Sequence, residues 1–258
     1  MQTLPRHQEM IAVVMPTYNE AETIRSTLSE ASEKIGNDGN RVVFMVSEDG
    51  STDGTGQALL SLAKTMPNLK VSTCPLRKGY PRAARDAILK AGDGADYILF
   101  MDSDGQYDPA DFHALWSNLK SSSSDIVMGL RTKRVESPLR IFLSTGLRLM
   151  ERAFFHVKCR DVTSAFRLMK GETAVSIAGA VQYSKYNFWL EFTALSYLRG
   201  YSTKEVPVVY RARQGKSRVY TGKKIVSAAV NEFLTLARVW RDFHLRKGNG
   251  QRGQSLSY

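Results

Sequence analysis

Short apolar runs alternate with stretches of helical periodicity through the first half of the chain. "IAVVM" (Ile11–Met15), "VVFMV" (Val42–Val46), a run near Leu69–Thr73, "YILFM" (Tyr97–Met101) and "DIVMGL" (Asp125–Leu130) have the length and bounding turn residues of buried strands. Between the first two, Ile24, Leu28, Ala31 and Ile35 recur on one helical face, with Asn19 as the expected N-cap and Glu22 completing a capping box. "STDGTGQALLSLAKTM" supplies the next cap and helix, and a third helix is expected over Pro81–Ala91. Strands alternating with helices predict an α/β fold with a mainly parallel central sheet and right-handed crossovers.

The second half is less regular. Pro138–Phe155 is amphipathic, with Arg140, Arg148 and Arg152 among its polar positions. "YNFWLEFTALSYLRG" predicts a helix ending at Gly200, and "STKEVPVVYRAR" an extended segment. A last helix over Lys223–Lys247 carries Val226, Val230, Phe233, Ala237 and Trp240 on one stripe, with Lys224, Arg238 and Arg241 at other positions. Packing on the protein's own core and lying at a bilayer interface are both open to these two stripes. The pattern predicts one domain over 1–220, its halves meeting near residue 130, then an amphipathic helix and a disordered basic tail over 221–258.

The run at Tyr97 leads straight into Asp102 and Asp104. Like charges at the end of a buried strand are costly unless something gathers there. In parallel α/β sheets ligands collect at the carboxyl ends of the strands, which puts Asp49, Asp102 and Asp104 on one edge. Two carboxylates at i and i+2 can share an ion if the strand ends between them and the chain turns, as Gly105 allows. Oxygen-only ligands suit Mg²⁺ or Mn²⁺ rather than zinc. Capping of the following turn is the simpler role for the pair. "VVMPTYNE" and "VSEDGSTDGT" end two further strands in polar and acidic residues, so three strand ends converge on one crevice.

Composition narrows the partners. The 258 residues, 43% of them apolar, suffice for one large α/β domain or two small ones. No uninterrupted apolar stretch has the length of a membrane span, and "MQTLPRHQEM" lacks the apolar segment of a signal peptide. Cys74 and Cys159 form no paired motif, which suits a reducing cytosol. His7, His113, His156 and His244 are scattered, against a zinc site built on a histidine cluster. The net charge of +11 predicts an anionic partner: nucleic acid, a phosphorylated ligand or an acidic membrane surface.

Taken in order, these motifs resemble the family 2 glycosyltransferases of the GT-A (Rossmann-like) fold, in the branch of the dolichol-phosphate mannosyltransferases. "MPTYNE", "EDGSTDGT" and "MDSDGQYDP" resemble the family's early strand ends, and "GLRTKR", "DVTSAFRLMK" and "EVPVVYRARQGKSR" its later signposts, over roughly residues 10–220. The resemblance implies that Pro16, Tyr18, Glu20, Asp49 and Asp102 bind the nucleotide and that Asp102, Asp104 and Gln106 hold the metal. It implies that Arg131 lies near the acceptor phosphate or the diphosphate, that Ser164 and Arg167 line the reaction centre, and that Arg213 and Arg218 clamp phosphates from a lid. Guanidinium donors match phosphate oxygens bidentately. Two departures stand out: Glu48 replaces the first Asp of the usual "DDGSTDGT", as a weak candidate or a capping residue, and "RKGYPRAARDAI" replaces an Asn-rich glycine loop.

The acceptor decides the chemistry. A hydroxyl must lose its proton and needs a general base. A phosphate monoester, with a second pKa of about 6, is already nucleophilic at neutral pH and needs cations to position it. The second half supplies Arg131, Arg134, Arg140, Arg167, Arg211, Arg213 and Arg218, and lacks the Gln-x-x-Arg-Trp signature of polymer-forming relatives. These points favour a polyprenyl or dolichyl phosphate acceptor, and the resemblance implies metal-dependent transfer of a hexose to it from a GDP- or UDP-sugar, with inversion, by a protein expected to attach peripherally to the cytosolic face of an anionic membrane. Transfer to a glycan hydroxyl, with Glu191 or Asp161 as base, is the enzymatic alternative. A non-catalytic module for acidic polymers is the other; no nucleic-acid signature supports it.

Overall fold

A computed structural model describes residues 8–36, 39–132, 138–213 and 223–248, and the backbone alone at 138–141, 223–225 and 246–248. The apolar runs become β1 (Met10–Thr17), β2 (Arg41–Asp49), β3 (Leu69–Cys74), β4 (Tyr97–Phe100) and β5 (Ile126–Arg131). β6 (Arg167–Lys170) and β7 (Thr203–Val208) complete a seven-stranded sheet in the order β3-β2-β1-β4-β6-β5-β7. β1 pairs in parallel with β2 and β4, β2 with β3, and β5 with β7, while β6 runs antiparallel to both its neighbours. Ile11 to Met15 are buried on both faces, as expected of a central strand covered by helices on each side.

The helices are α1 (Ile24–Ile35), α2 (Thr55–Ala63), α3 (Tyr80–Ala91), α4 (Phe112–Ser121), α5 (Pro138–Phe155), α6 (Gly171–Ala180), α7 (Phe188–Leu198) and α8 (Lys223–Gly248). Ile24, Leu28, Ala31 and Ile35 are all buried, as their spacing predicts. The expected cap is overturned. Asn19 sits at φ 51°, four residues before the cap position, and its side chain accepts from the Thr52 amide rather than from the first turn of α1. An extra turn, in which the Thr23 and Ile24 amides donate to the Glu20 carbonyl, delays the helix, and Thr23 becomes the N-cap.

Sheet direction gathers the later motifs. Because β6 reverses the chain between β4 and β5, the ends of β5 and β7 and the start of β6 lie on the same edge as the ends of β1, β2 and β4. Arg131 ends β5, Arg167 begins β6, and Arg213 follows β7. One edge thus collects residues from both halves of the chain.

The stripe on α8 faces outward. Val226, Val230, Phe233 and Trp240 are exposed, as are Phe142, Leu149 and Phe154 on α5, while Glu232, Thr235, Leu236 and Val239 face the body. Polar anchors set the rotation of α8: Glu232 accepts from the Asn187 amide, and Thr235 donates to the Tyr183 carbonyl. The side chains of Arg140 and Lys224, Arg134 and the tail beyond Gly248 lie outside the described residues.

This packing buries acids. Among the described residues, neither carboxyl oxygen of Glu151 on α5 has a hydrogen-bond partner, nor does Oε2 of Glu232. Burial pushes Glu232 up to about 7 from an ordinary 4.5, and the Glu191 charge adds to the rise. The folded chain therefore holds a proton that the unfolded chain releases, and stability falls as pH rises from about 4.5 through about 7, by an amount of order 3 kcal/mol. Glu232→Gln, which keeps an acceptor for Asn187, is expected to melt several degrees above the parent at pH 8 and to lose that advantage at pH 4.5, in thermal unfolding at both values.

Candidate active site

The strand ends enclose a cavity of about 230 Å³ lined by Pro16, Tyr18 and Glu20 from the end of β1, Asp49 from β2, and Asp102 and Asp104 beyond β4. Arg213, following β7, closes it from the other half of the chain. A second cavity of about 250 Å³, against Lys70 and Lys90 at the β2–β3 side of the sheet, has no carboxylate in its lining.

β4 ends at Phe100, before both aspartates, and the chain turns at Gly105 with φ 72°. Asp102 accepts from the Tyr80 hydroxyl at 2.9 Å, and Asp104 from the Gln106 amide at 3.2 Å. Burial, then repulsion from Asp104, raises the Asp102 carboxyl; burial raises Asp104, partly offset by Arg213. Arg213 reaches Asp104 Oδ2 at 3.4 Å and pairs through its other amino group with Glu20. The pair thus stands as negative charge only partly compensated. Among the described residues no group of three or more His, Cys, Asp or Glu could hold a metal by itself. Two carboxylates facing an open cavity nevertheless fit Mg²⁺ or Mn²⁺, ions that keep positions for phosphate oxygens.

Asp49 secures the opposite wall. Its two oxygens accept from the Lys78 and Gly79 amides at 2.7 and 2.9 Å, folding the loop before α3 against the end of β2. Gly50 permits this, since a Cβ there would lie 2.7 Å from the Arg77 nitrogen. The loop lays the Arg77 guanidinium 4.0 Å over the Tyr18 ring. Of the extra arginines in "RKGYPRAARDAI", only Arg77 lines the cavity, and Arg85 bonds the Ala178 carbonyl instead. Glu48 accepts from the Ser51 amide, the capping role.

The remaining predicted residues stand outside the cavity lining. Arg131 makes two 2.7 Å bonds to Asp161 and one of 2.8 Å to Thr163, under the Tyr210 ring. Burial opposes its charge, but Asp161 outweighs that and holds the guanidinium above its ordinary value. Arg167 is fully buried, donating to the Ser164 and Val162 carbonyls and lying 4.4 Å from the Trp189 ring; burial lowers it to about 10. Ser164 is buried beside the Tyr107 hydroxyl. Gln106 donates its amide to the Arg211 carbonyl, tying the root of the last loop to the Asp104 turn. Glu191 accepts from the Gln182, Tyr183 and Ser184 amides and the Ser184 hydroxyl. Arg218 lies outside the described residues.

Sequence reasoning missed Arg77 and Tyr80 in the cavity wall. The Gly-Tyr-Pro step was the available signal, because proline in the first turn marks a helix start, and helix starts after parallel strands lie at the ligand edge.

The chain belongs to glycosyl transferase family 2, whose model matches residues 12–174. It is 27% identical over 251 residues to an undecaprenyl-phosphate mannosyltransferase of Micrococcus luteus, covering 92% of this chain and 99% of that one. It is 29% identical over 243 residues to a dolichyl-phosphate hexose transferase of Haloferax volcanii, covering 88% and 96%. Among solved structures, glucosyl-3-phosphoglycerate synthase of Mycobacterium tuberculosis with uridine diphosphate superposes with a TM-score of 0.66 at 17% identity, over 90% of this chain and 80% of that one. The fold is thus GT-A, and the protein is a glycosyltransferase.

Asp161 tests the meaning of the Arg131 pair. Both side chains are nearly buried, so Asp161→Asn leaves an arginine without its counter-charge and is expected to cost about 3 kcal/mol in chemical denaturation. Unchanged stability with lost turnover would instead make Asp161 a base.

Proposed function

We propose that this glycosyltransferase moves a hexose from a GDP- or UDP-sugar to a polyprenyl or dolichyl phosphate, with inversion. The observation that carries the acceptor assignment is the engagement of both candidate bases. Asp161 is bound bidentately by Arg131, and Glu191 is surrounded by loop amides. Neither is placed to take a proton in the cavity, and a phosphate acceptor needs none. The lipid-phosphate sugar transferases among its relatives support the same reading.

In this mechanism Tyr18 and Arg77 offer the stacked surface for the base, and Pro16, Glu20 and Asp49 frame the nucleoside. Asp102 and Asp104, with Gln106 beside them, would hold Mg²⁺ or Mn²⁺, which when bound offsets the charge of the departing diphosphate. An acceptor phosphate oxygen attacks the anomeric carbon as the bond from that carbon to the diphosphate breaks, and the electron pair leaves on the nucleoside diphosphate. Arg213 trades its carboxylate partners for phosphate oxygens, joined by Arg218. Arg131, Ser164 and Arg167 shape the acceptor side, Arg131 by charge and the buried pair by holding the 161–167 turn.

The lipid is met at a membrane surface. Among the described residues no helix is long and apolar enough to cross a bilayer. The exposed Phe142, Leu149, Phe154, Phe233 and Trp240 form an apolar face on α5 and α8, and Arg152, Arg238 and Arg241 are also exposed on these helices. With a net charge of +11, this face suits the interface of an anionic bilayer on the cytosolic side.

One experiment tests both parts: a panel of labelled GDP- and UDP-sugars offered with polyprenyl phosphate in anionic vesicles, with Mn²⁺ or with chelator. A metal-dependent glycolipid from one donor is expected, with the enzyme floating with the vesicles and Phe233→Ser/Trp240→Ser floating at least ten-fold less. Donor hydrolysis without a lipid product would refute the acceptor, and flotation unchanged by the double substitution would refute the membrane face.

A further inference from the structure

A chain of hydrogen bonds behind the acidic pair reaches into the acceptor half of the protein. Trp189, near the start of α7, is buried, its backbone amide held by the Asn187 cap and its ring edge-on to Phe100 at 4.6 Å. Its indole N–H donates to the Tyr80 hydroxyl at 3.0 Å, and that hydroxyl donates to Asp102 Oδ1 at 2.9 Å. The direction is forced. An indole nitrogen only donates, so the tyrosine oxygen must accept from it, and its single proton is left for the carboxylate.

Tyr80 is itself fixed at its backbone. It is the first residue of α3, directly after Gly79, whose amide is bound by Asp49, and Pro81 follows with its restricted φ. Asp102 is thus oriented by a hydroxyl whose position comes from β2 and whose proton direction comes from α7.

We propose that Tyr80, directed by Trp189, is the positioning residue that sets the Asp102 carboxylate for the divalent cation. This rests on the metal reading above. Outer partners of this kind commonly contribute roughly 10–100-fold to metal affinity. A residue that merely filled space would leave that affinity unchanged once the fold was intact.

The test uses the full chain and Mn²⁺ alone, then Mn²⁺ with GDP or UDP, with free ion read by electron paramagnetic resonance. Nucleotide binding in chelator and the melting temperature are measured alongside. Tyr80→Phe is expected to weaken Mn²⁺ binding by about 10-fold or more while nucleotide binding in chelator falls far less, and to lower the melting temperature modestly because the buried indole N–H of Trp189 loses its acceptor. Trp189→Phe is expected to weaken it less, and the double variant no more than Tyr80→Phe, because the indole acts through the hydroxyl. Parent-like Mn²⁺ affinity in Tyr80→Phe, or additive losses in the double variant, would overturn the inference alone. A parent that leaves Mn²⁺ free with either nucleotide would overturn the metal reading and this inference together.

Discussion

The cost of placing Asp102 and Asp104 side by side at the end of a buried strand organises this protein. Burial in a poorly solvated crevice raises the proton affinity of both carboxyls, and the Asp104 charge raises that of Asp102 further. Arg213 supplies partial compensation, reaching Asp104 and Glu20 from beyond β7, so the last part of the fold is drawn onto the first. Gln106 and Arg211 secure the same junction by backbone and side-chain bonds. The site is assembled by charges that are unfavourable apart and complementary together.

The outer half of the molecule follows a different balance. The α5–α8 pair turns carboxyl groups inward and apolar rings outward, with Phe154 and Trp240 meeting at 5.8 Å on the exposed side. Such an arrangement is unfavourable in water and suited to an apolar boundary. The proposed membrane face thus lies on α5 and α8, and the proposed nucleotide cavity at the strand ends.

Much of this was legible in the residues. The runs at Ile11, Val42 and Tyr97 are apolar because central parallel strands are covered on both faces, and turn residues marked where they stop. Other features depend on contacts distant in sequence. Asn19 had the composition of a cap, but Thr52 claimed its side chain. β6 is four residues long and adjoins a turn held by Arg167, too short for a periodic signal. The α8 stripe was visible, but its direction was set by Glu232 and Thr235 bonding to the 183–187 segment, which no helical wheel records. Arg131 and Arg167 had the right type for phosphate binding, whereas their burial and partners appear only in three dimensions.

The central claim is that an acceptor phosphate, needing no base, attacks the sugar directly. Phosphorus and proton nuclear magnetic resonance of the purified lipid product tests it in one measurement. The account predicts a phosphodiester in which the anomeric proton couples to phosphorus, with anomeric configuration opposite to the donor's. A product that keeps a monoester phosphate and carries its sugar on a hydroxyl, or one with the donor's configuration retained, would contradict it.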